Sequence, residues 1–425
     1  MPHSLLERSD LTVLLVGSGG REHAFATLLA ESPRLDTLFV APGNAGTAGI
    51  ATNVPIDVED SDALVAYSLE SGVDFVVVGP EAPLAAGLVD RFDSAGILAF
   101  GPTAAAARIE SSKWFAKEMM REHGVPTAST QIFTDYDQAR QYILDQEPPI
   151  VVATDGLAAG KGVVVASDHD EALAALRERI GDGGPGVLVQ EYMTGQEISV
   201  FAFVDGEHIS PMIAACDYSP VGDGNVGPNT GGMGSYSPPT AAVWNDETES
   251  RVRLEIIEPV VAALASEGSP FRGILYAGLM LTVDGPKVIE FNCRLGDPEA
   301  QVVLPRLKSD LLEVMICVAL GDVSSASLEW NDQSHVAVVL ASGGYPGKYA
   351  TGFPIDGLDN MPTGVTVYHA GTRLDGDKVI TAGGRVLAAS ASGDTLEAAR
   401  RRAYEGVSRI RFPGSFHRED IALIQ

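Results

Sequence analysis

Residues 11–23 read LTVLLVGSGGREH, and the fold class follows from the change of character at Gly17. Leu11 to Val16 is an unbroken apolar, largely branched run, the pattern of a strand buried on both faces. Gly17, Ser18, Gly19 and Gly20 then form a turn, and a helical stretch runs from near Arg21 to about Glu31. Such a turn leaves backbone N–H groups pointing out of a helix N-terminus, where a phosphate is the natural guest. A dinucleotide site is the rival reading. It needs a third glycine in G-x-G-x-x-G and an acidic residue ending the second strand. Glu22 stands at the third position, and the second strand runs into Ala41, Pro42, Gly43 and Asn44 with no carboxylate. The loop can hold a phosphate without holding a dinucleotide.

Outward from this stretch, residues 37–40, 75–78 and 98–100 read as further strands separated by helical segments, which predicts a parallel α/β sheet. The turns at 42–47 and 79–84 follow two of these strands. Parallel sheets place ligands at the carboxyl ends of their strands, so three such turns on one edge make a pocket, although any one alone reads as a tight turn. A helix is predicted over 103–122, stopped by Gly124 and Pro126. Strands are predicted over 150–152, 187–192, 197–204, 274–281, 288–291 and 335–340. Residues 222–239 are rich in Gly, Pro and Asn and lack periodicity; a loop of that length is more often functional than idle. The natural cuts fall near residues 111 and 330.

Two central stretches carry chemistry. Residues 155–162, DGLAAGKG, lack the G-x-x-x-x-G-K-[ST] spacing of a P-loop. A glycine-bearing loop with one Lys can still fold over a triphosphate and offer N–H groups and positive potential. Residues 290–294, EFNCR, are sharper. Alternate residues of a strand share a face, so Glu290 and Asn292 point one way with Arg294 next in the row. Two oxygen ligands on rigid backbone suit Mg²⁺, which also takes waters and phosphate oxygens. An adjacent Arg suits an anionic group. Val288, Ile289 and Phe291 argue against a merely solvated edge. Residues 190–197 link two strands and could meet an adenine edge and ribose hydroxyls, but alone they read as a charged hairpin.

The 425 residues carry 57 Asp and Glu against 29 Lys and Arg, a formal charge of −28. No basic patch of the kind nucleic acid requires is evident. Only 7 of the 29 cations are Lys, a balance that suits a surface kept hydrated in concentrated salt. No apolar run approaches the roughly 18–20 residues of a membrane span, and no secretory signal is expected at the N-terminus. Cys216, Cys293 and Cys317 fit no metal spacing. Free thiols in a reducing cytoplasm are the plain reading.

With these motifs in place, the chain resembles the glycinamide ribonucleotide synthetase family of ATP-grasp ligases. The resemblance rests on residues 17–23, 42–47, 79–84, 155–163, 227–235, 290–294, 296–299, 342–349 and 383–386, in order along nearly the whole sequence. GPNTGGMG at 227–234 and EFNCRLGDPE at 290–299 are its most specific parts. It implies an N-terminal Rossmann-like parallel-sheet (pre-ATP-grasp) domain over 1–111 that binds phosphoribosylamine. It further implies an ATP-grasp α+β domain over 112–329, with a flap at about 125–202, and a small β-rich α/β C-terminal domain over 330–425. The implied substrates are ATP, glycine and 5-phosphoribosylamine, with Mg²⁺ or Mn²⁺, in a cytoplasmic monomer or small homo-oligomer that binds neither nucleic acid nor membrane. By resemblance Glu290 and Asn292 hold the metal. Lys113, Asp155, Gly156, Leu157, Ala158, Gly160, Lys161 and Gly162 meet the ATP phosphates, and Glu191, Tyr192 and Glu197 frame adenine and ribose. Gly17, Gly19, Gly20, Arg21, Asn44, Gly46 and Glu81 meet the sugar phosphate substrate. Asp217, Asn229, Thr230, Gly231, Gly232, Arg294 and Asp297 surround glycine and the acyl phosphate, with Asp217, Arg294 and Asp297 as the catalytic set. Phosphoryl and acyl transfer need positioning and charge neutralisation rather than a protein nucleophile, consistent with a sequence in which no Ser/His/Asp or Cys/His set stands out.

Two departures stand against the family pattern. Ala153 occupies a position where the family usually has Lys, and Ser219-Pro220 follows Asp217-Tyr218 where it tends to have Lys-Arg. Each change deletes a cation near several negative charges, and a charge-assisted hydrogen bond contributes roughly 1.5–3 kcal/mol. They motivate an alternative expectation, a weakened or non-catalytic nucleotide-binding homologue.

Overall fold

A computed structural model describes residues 2–157, 162–180 and 186–424. The N-terminal strand runs Leu11–Gly17 and lies at the centre of a five-stranded sheet. Leu35–Pro42 and Thr52–Asn53 extend it on one side, Phe75–Val78 and Leu98–Phe100 on the other, and every pairing is parallel. Its continuous apolar run is explained by two-sided burial. Leu14, Val16, Val76 and Val78 enter one core, while Val13, Leu15, Phe75 and Val77 enter another.

The helix predicted over 103–122 is two helices, Ala104–Ser111 and Lys113–Glu122. Ser112 breaks it. Its backbone is extended, its hydroxyl accepts the Phe115 N–H at 3.1 Å as the cap of the second helix, and it donates to Asp155 at 3.2 Å. That last partner lies 43 residues away and leaves no local trace in the sequence.

The flap is an antiparallel sheet in the order Thr130–Phe133, Val187–Glu191, Ile150–Thr154, Val163–Ala166. The helices Tyr136–Leu144 and His169–Arg179 cover one face and give it a separate small core containing Ile143, Ile150, Val152, Leu176 and Val189.

An eight-stranded antiparallel sheet forms the rest. Its order is Gly285–Asn292, Arg272–Thr282, Gln196–Asp205, Ile213–Asp217, Gly234–Ser237, Ser334–Ala341, Arg385–Gly393, Val365–His369. Gly234–Ser237 pairs with Ser334–Ala341, so the sheet passes unbroken from the central region into the C-terminal region. Residues 222–239, expected as one loop, contain this strand and a small hairpin of Pro220–Gly222 with Val226–Asn229. Among the described residues no helix is long and apolar enough to cross a membrane.

Candidate active site

The strand Gly285–Asn292 decides which side chains share a face. Glu290 lies opposite Gly278 but Val288 lies opposite Leu279, so Ile289 is an extra, bulged residue. Beyond the bulge Glu290 and Asn292 point together, opposite Gly278 and Tyr276, as the sequence leads one to expect. Across the next strand Ser199 pairs with Gly278 and Glu197 with Met280. Ser199 also pairs with Ala215, which puts Asp217 on the same side, and Asp217 pairs with Ser235. One face of the sheet therefore carries Glu197, Ser199, Asp217, Ser235, Glu290 and Asn292.

Glu299 joins this group from the turn after the strand, accepting a hydrogen bond from Ser199 Oγ at 3.4 Å. Burial pushes the Glu197, Asp217 and Glu299 carboxyls each up to about 7, and mutual repulsion adds to it. Glu197 feels Glu290 and Glu299, Asp217 feels Glu197, and Glu299 feels Asp217. Buried carboxyls crowded in this way either keep protons or are relieved by a cation. Yet among the described residues no three His, Cys, Asp or Glu side chains are grouped so as to hold a metal ion by themselves. The donor set fits an ion that protein ligands hold only in part, as Mg²⁺ is commonly held by one or two carboxylates together with phosphate oxygens. Ser219 contributes no charge here; its hydroxyl donates to Asp217 Oδ2 at 2.8 Å.

A chain of buried ion pairs borders the carboxylate face. Arg294 Nη2 meets Glu110 Oε1 at 2.9 Å and its Nε meets Glu81 Oε2 at 3.1 Å. Arg21 Nε meets Glu22 Oε1 at 2.7 Å, and Arg21 Nη1 donates to the Leu295 carbonyl at 3.0 Å. Burial opposes the Glu81 carboxylate, but Arg294 and Arg21 outweigh it and hold Glu81 at about 2. Asp297 accepts the Arg21 N–H at 3.2 Å and Gln301 Nε2 at 2.9 Å.

The glycines of residues 17–20 are crowded by the protein's own side chains. Gly19 N donates to Glu22 Oε2 at 2.6 Å. A Cβ on Gly17 would meet Glu22 Cγ at 2.3 Å, and one on Gly20 would meet Gln301 Nε2 at 2.4 Å. Glu22, the residue that breaks the dinucleotide pattern, thus packs against Gly17 and Gly19. Asn44 is committed as well. Its Nδ2 donates to the carbonyls of Ser18 at 2.9 Å and His369 at 2.8 Å, while its Oδ1 accepts from Gly46 and Thr47.

Among the residues expected at the nucleotide, Lys113 Nζ donates to the Gly156 carbonyl at 3.3 Å, and Asp155 accepts the Trp114 N–H at 3.1 Å. The Gly162 carbonyl accepts from Thr154 at 3.0 Å. Leu157 and Tyr192 are exposed, and Glu191 pairs with Lys287 at 3.5 Å. Ala158, Gly160 and Lys161 lie outside the described residues. Ala153 is buried opposite Leu188 and Val163, on the face of the flap sheet away from Ile150 and Val152. In the glycine-rich loop, Asn229 ends an exposed strand, Thr230 Oγ1 donates to the Ser219 carbonyl at 2.8 Å, and Gly232 N donates to Thr230 Oγ1 at 3.0 Å.

Four charged residues here were given no role from the sequence: Lys117, Lys287, Glu299 and Arg385, the last two lying in stretches quoted only for the family resemblance. Lys117 is buried, donates to Thr127 Oγ1 at 2.6 Å, and is lowered to about 8 by burial against the opposing pull of Glu290 and Glu191. Its spacing of four from Lys113, one face of a helix, was a usable signal. Arg385 arrives from the C-terminal region, and nothing local announces its destination.

Three family profiles match the chain: the phosphoribosylglycinamide synthetase N domain over residues 11–110, its ATP-grasp (A) domain over 111–300 and its C domain over 335–424. The chain is similar to the phosphoribosylamine–glycine ligase of Salmonella typhimurium, with 48% identity over 422 residues, 97% of this chain and 98% of that one. The crystal structure of the phosphoribosylamine–glycine ligase of Thermotoga maritima superposes with a TM-score of 0.84 at 33% identity, covering 97% of this chain and 100% of that one. The biotin carboxylase domain of Hydrogenobacter thermophilus 2-oxoglutarate carboxylase, solved with MgADP and bicarbonate, shares the fold, with a TM-score of 0.71 at 16% identity over 96% of this chain and 91% of that one.

Proposed function

The chain belongs to the phosphoribosylglycinamide synthetase family, and from that premise we propose that it joins glycine to 5-phosphoribosylamine at the expense of ATP, giving glycinamide ribonucleotide, ADP and phosphate in purine biosynthesis. The observation that carries this reading is the gathering of Glu197, Asp217, Glu290, Asn292 and Glu299 on one side of the sheet, beside the buried pairs of Arg21 and Arg294.

Glycine's carboxylate attacks the γ-phosphorus of ATP, releasing ADP and forming glycyl phosphate. The amine of phosphoribosylamine then attacks the acyl carbon, a C–N bond forms, inorganic phosphate departs and the nitrogen gives up a proton. Neither step needs a protein nucleophile; both need alignment and charge neutralisation. Lys113, Asp155, Gly156, Leu157 and Gly162 are assigned to the triphosphate, as by resemblance are Ala158, Gly160 and Lys161, which lie outside the described residues. Glu191, Tyr192 and Glu197 take adenosine. Glu290 and Asn292 would hold Mg²⁺ or Mn²⁺, which would supply neutralisation of phosphate charge. Asp217, Asn229, Thr230, Gly231, Gly232, Arg294 and Asp297 enclose glycine and its phosphate. Gly17, Gly19, Gly20, Arg21, Asn44, Gly46 and Glu81 receive phosphoribosylamine. Glu81 is ionised between two guanidinium groups, and side-chain exposure of 29% leaves it free to accept from the amine or a ribose hydroxyl.

We keep the division into residues 1–111, 112–329 and 330–425, and the unbroken eight-stranded sheet argues that the last two work as one body. A cytoplasmic setting accords with three buried, unpaired cysteines. The test is ADP release. Release that requires glycine and phosphoribosylamine together supports the reading, and release indifferent to either substrate removes it.

A further inference from the structure

The C-terminal region sends two side chains into the loop assigned above to glycine. Arg385 Nη1 donates to the carbonyl of Gly231, to that of Gly232 at 3.3 Å, and to the backbone carbonyl of Asp297. Its Nη2 lies 3.6 Å from Asp297 Oδ1. Tyr345 OH accepts the Gly231 N–H at 3.2 Å. One guanidinium therefore ties the turn 230–232 to Asp297, and Asp297 in turn accepts the Arg21 N–H at the start of the first helix. Three regions far apart in sequence meet at a single side chain.

Arg385 is presented from a stiff support. It begins the strand Arg385–Gly393 and pairs with Ala341. Ser342 Oγ donates to the Gly383 carbonyl and Ser342 N to the Gly384 carbonyl, both at 2.8 Å. The two chain segments touch backbone to backbone, since a Cβ on Gly371 would meet Gly383 Cα at 2.5 Å. The Tyr345 ring lies against Gly384, where a Cβ would meet it at 2.3 Å. A fork-shaped donor held this firmly fixes carbonyl positions in a way a flexible ammonium does not.

We propose that Arg385 is a positioning residue for the glycine-dependent step, with Tyr345 as its partner: together they set the turn 230–232 and Asp297 around glycine, so that the C-terminal region completes the active site. This rests on the ligase reading. Arg385 acts through the loop and Asp297, and its loss displaces them without touching the nucleotide side. A displacement of about 1 Å at such a site can cost about 100-fold in rate.

The experiment is steady-state kinetics on the full chain with glycine and ATP each varied at saturating phosphoribosylamine, for wild type, Arg385→Ala, Arg385→Lys, Tyr345→Phe and the exposed control Arg373→Ala. Arg385→Ala is expected to lower kcat/KM for glycine about 100-fold, leave KM for ATP within about twofold, and recover partly with added guanidinium ion. Arg385→Lys is expected to fall between the two. A KM for ATP that rises as far as that for glycine, without rescue, or no loss at all, would overturn the proposal. If Arg385→Ala does not fold, Tyr345→Phe decides: a selective fall for glycine supports it, and unchanged glycine kinetics overturn it. A wild-type enzyme that ligates glycine while both variants are indifferent sinks this inference alone; a wild type that does not ligate sinks the reading beneath it.

Discussion

Arg294 and Glu81, 3.1 Å apart, join the segment that follows the strand Gly285–Asn292 to a turn of the N-terminal sheet 213 residues away. The same guanidinium holds Glu110, whose carboxylate also accepts the Cys293 N–H at 2.8 Å. This side of the candidate site is thus fastened to the N-terminal domain by charge.

Removing Arg294 should expose how much of that fastening is structural. Arg294→Ala leaves Glu110 buried without its cation, and breaking a buried pair in this way typically costs about 3–5 kcal/mol. Chemical denaturation should show a loss of that order, with Glu110→Gln in the same background restoring part of it. A stability unchanged by Arg294→Ala would mean that water or another cation already serves Glu110.

The carboxylates at about 7 give a signed pH dependence. Their folded values lie above the roughly 4 of an unfolded chain, so the folded state holds extra protons between about pH 4 and pH 7. Their contribution is fully present below pH 4 and is lost as pH rises through 7. Thermal unfolding in EDTA should therefore show a falling Tm contribution across that window, flattened in Glu197→Gln and reduced by saturating Mn²⁺. Identical pH profiles for wild type and Glu197→Gln would contradict the crowding.

Ala153→Lys tests the missing cation on the flap. A restored charge-assisted bond of about 1.5 kcal/mol corresponds to about tenfold in affinity, so KM for ATP should fall by up to that factor. An unchanged KM would show that Lys113, Lys117 or the lid already supplies the charge and that the site is organised another way.

The sequence was most legible where structure is local. The apolar runs at 11–16 and 75–78, the glycine turns after them, and the shared face of Glu290 and Asn292 all follow from periods of two or from residue type. What escaped depends on distant partners. Ser112 breaks a helix because Asp155 and a new cap reward it. The Ile289 bulge is set by the neighbouring strand. Gly17 and Gly20 pack against Glu22 and Gln301, and the second of these arrives from a helix far along the chain. Arg385 reaches Gly231 across 154 positions, and no local pattern encodes such a contact.

The central claim is that Glu290 and Asn292 present a divalent cation to ATP. Its most direct test is a Mg²⁺ titration of ADP release, dependent on both glycine and phosphoribosylamine, for wild type and Glu290→Gln. Wild type should saturate with metal, and Glu290→Gln should need far more of it and reach about 1% or less of the wild-type rate, as when a charge-stabilising group is lost. Superimposable metal curves for the two proteins would contradict it.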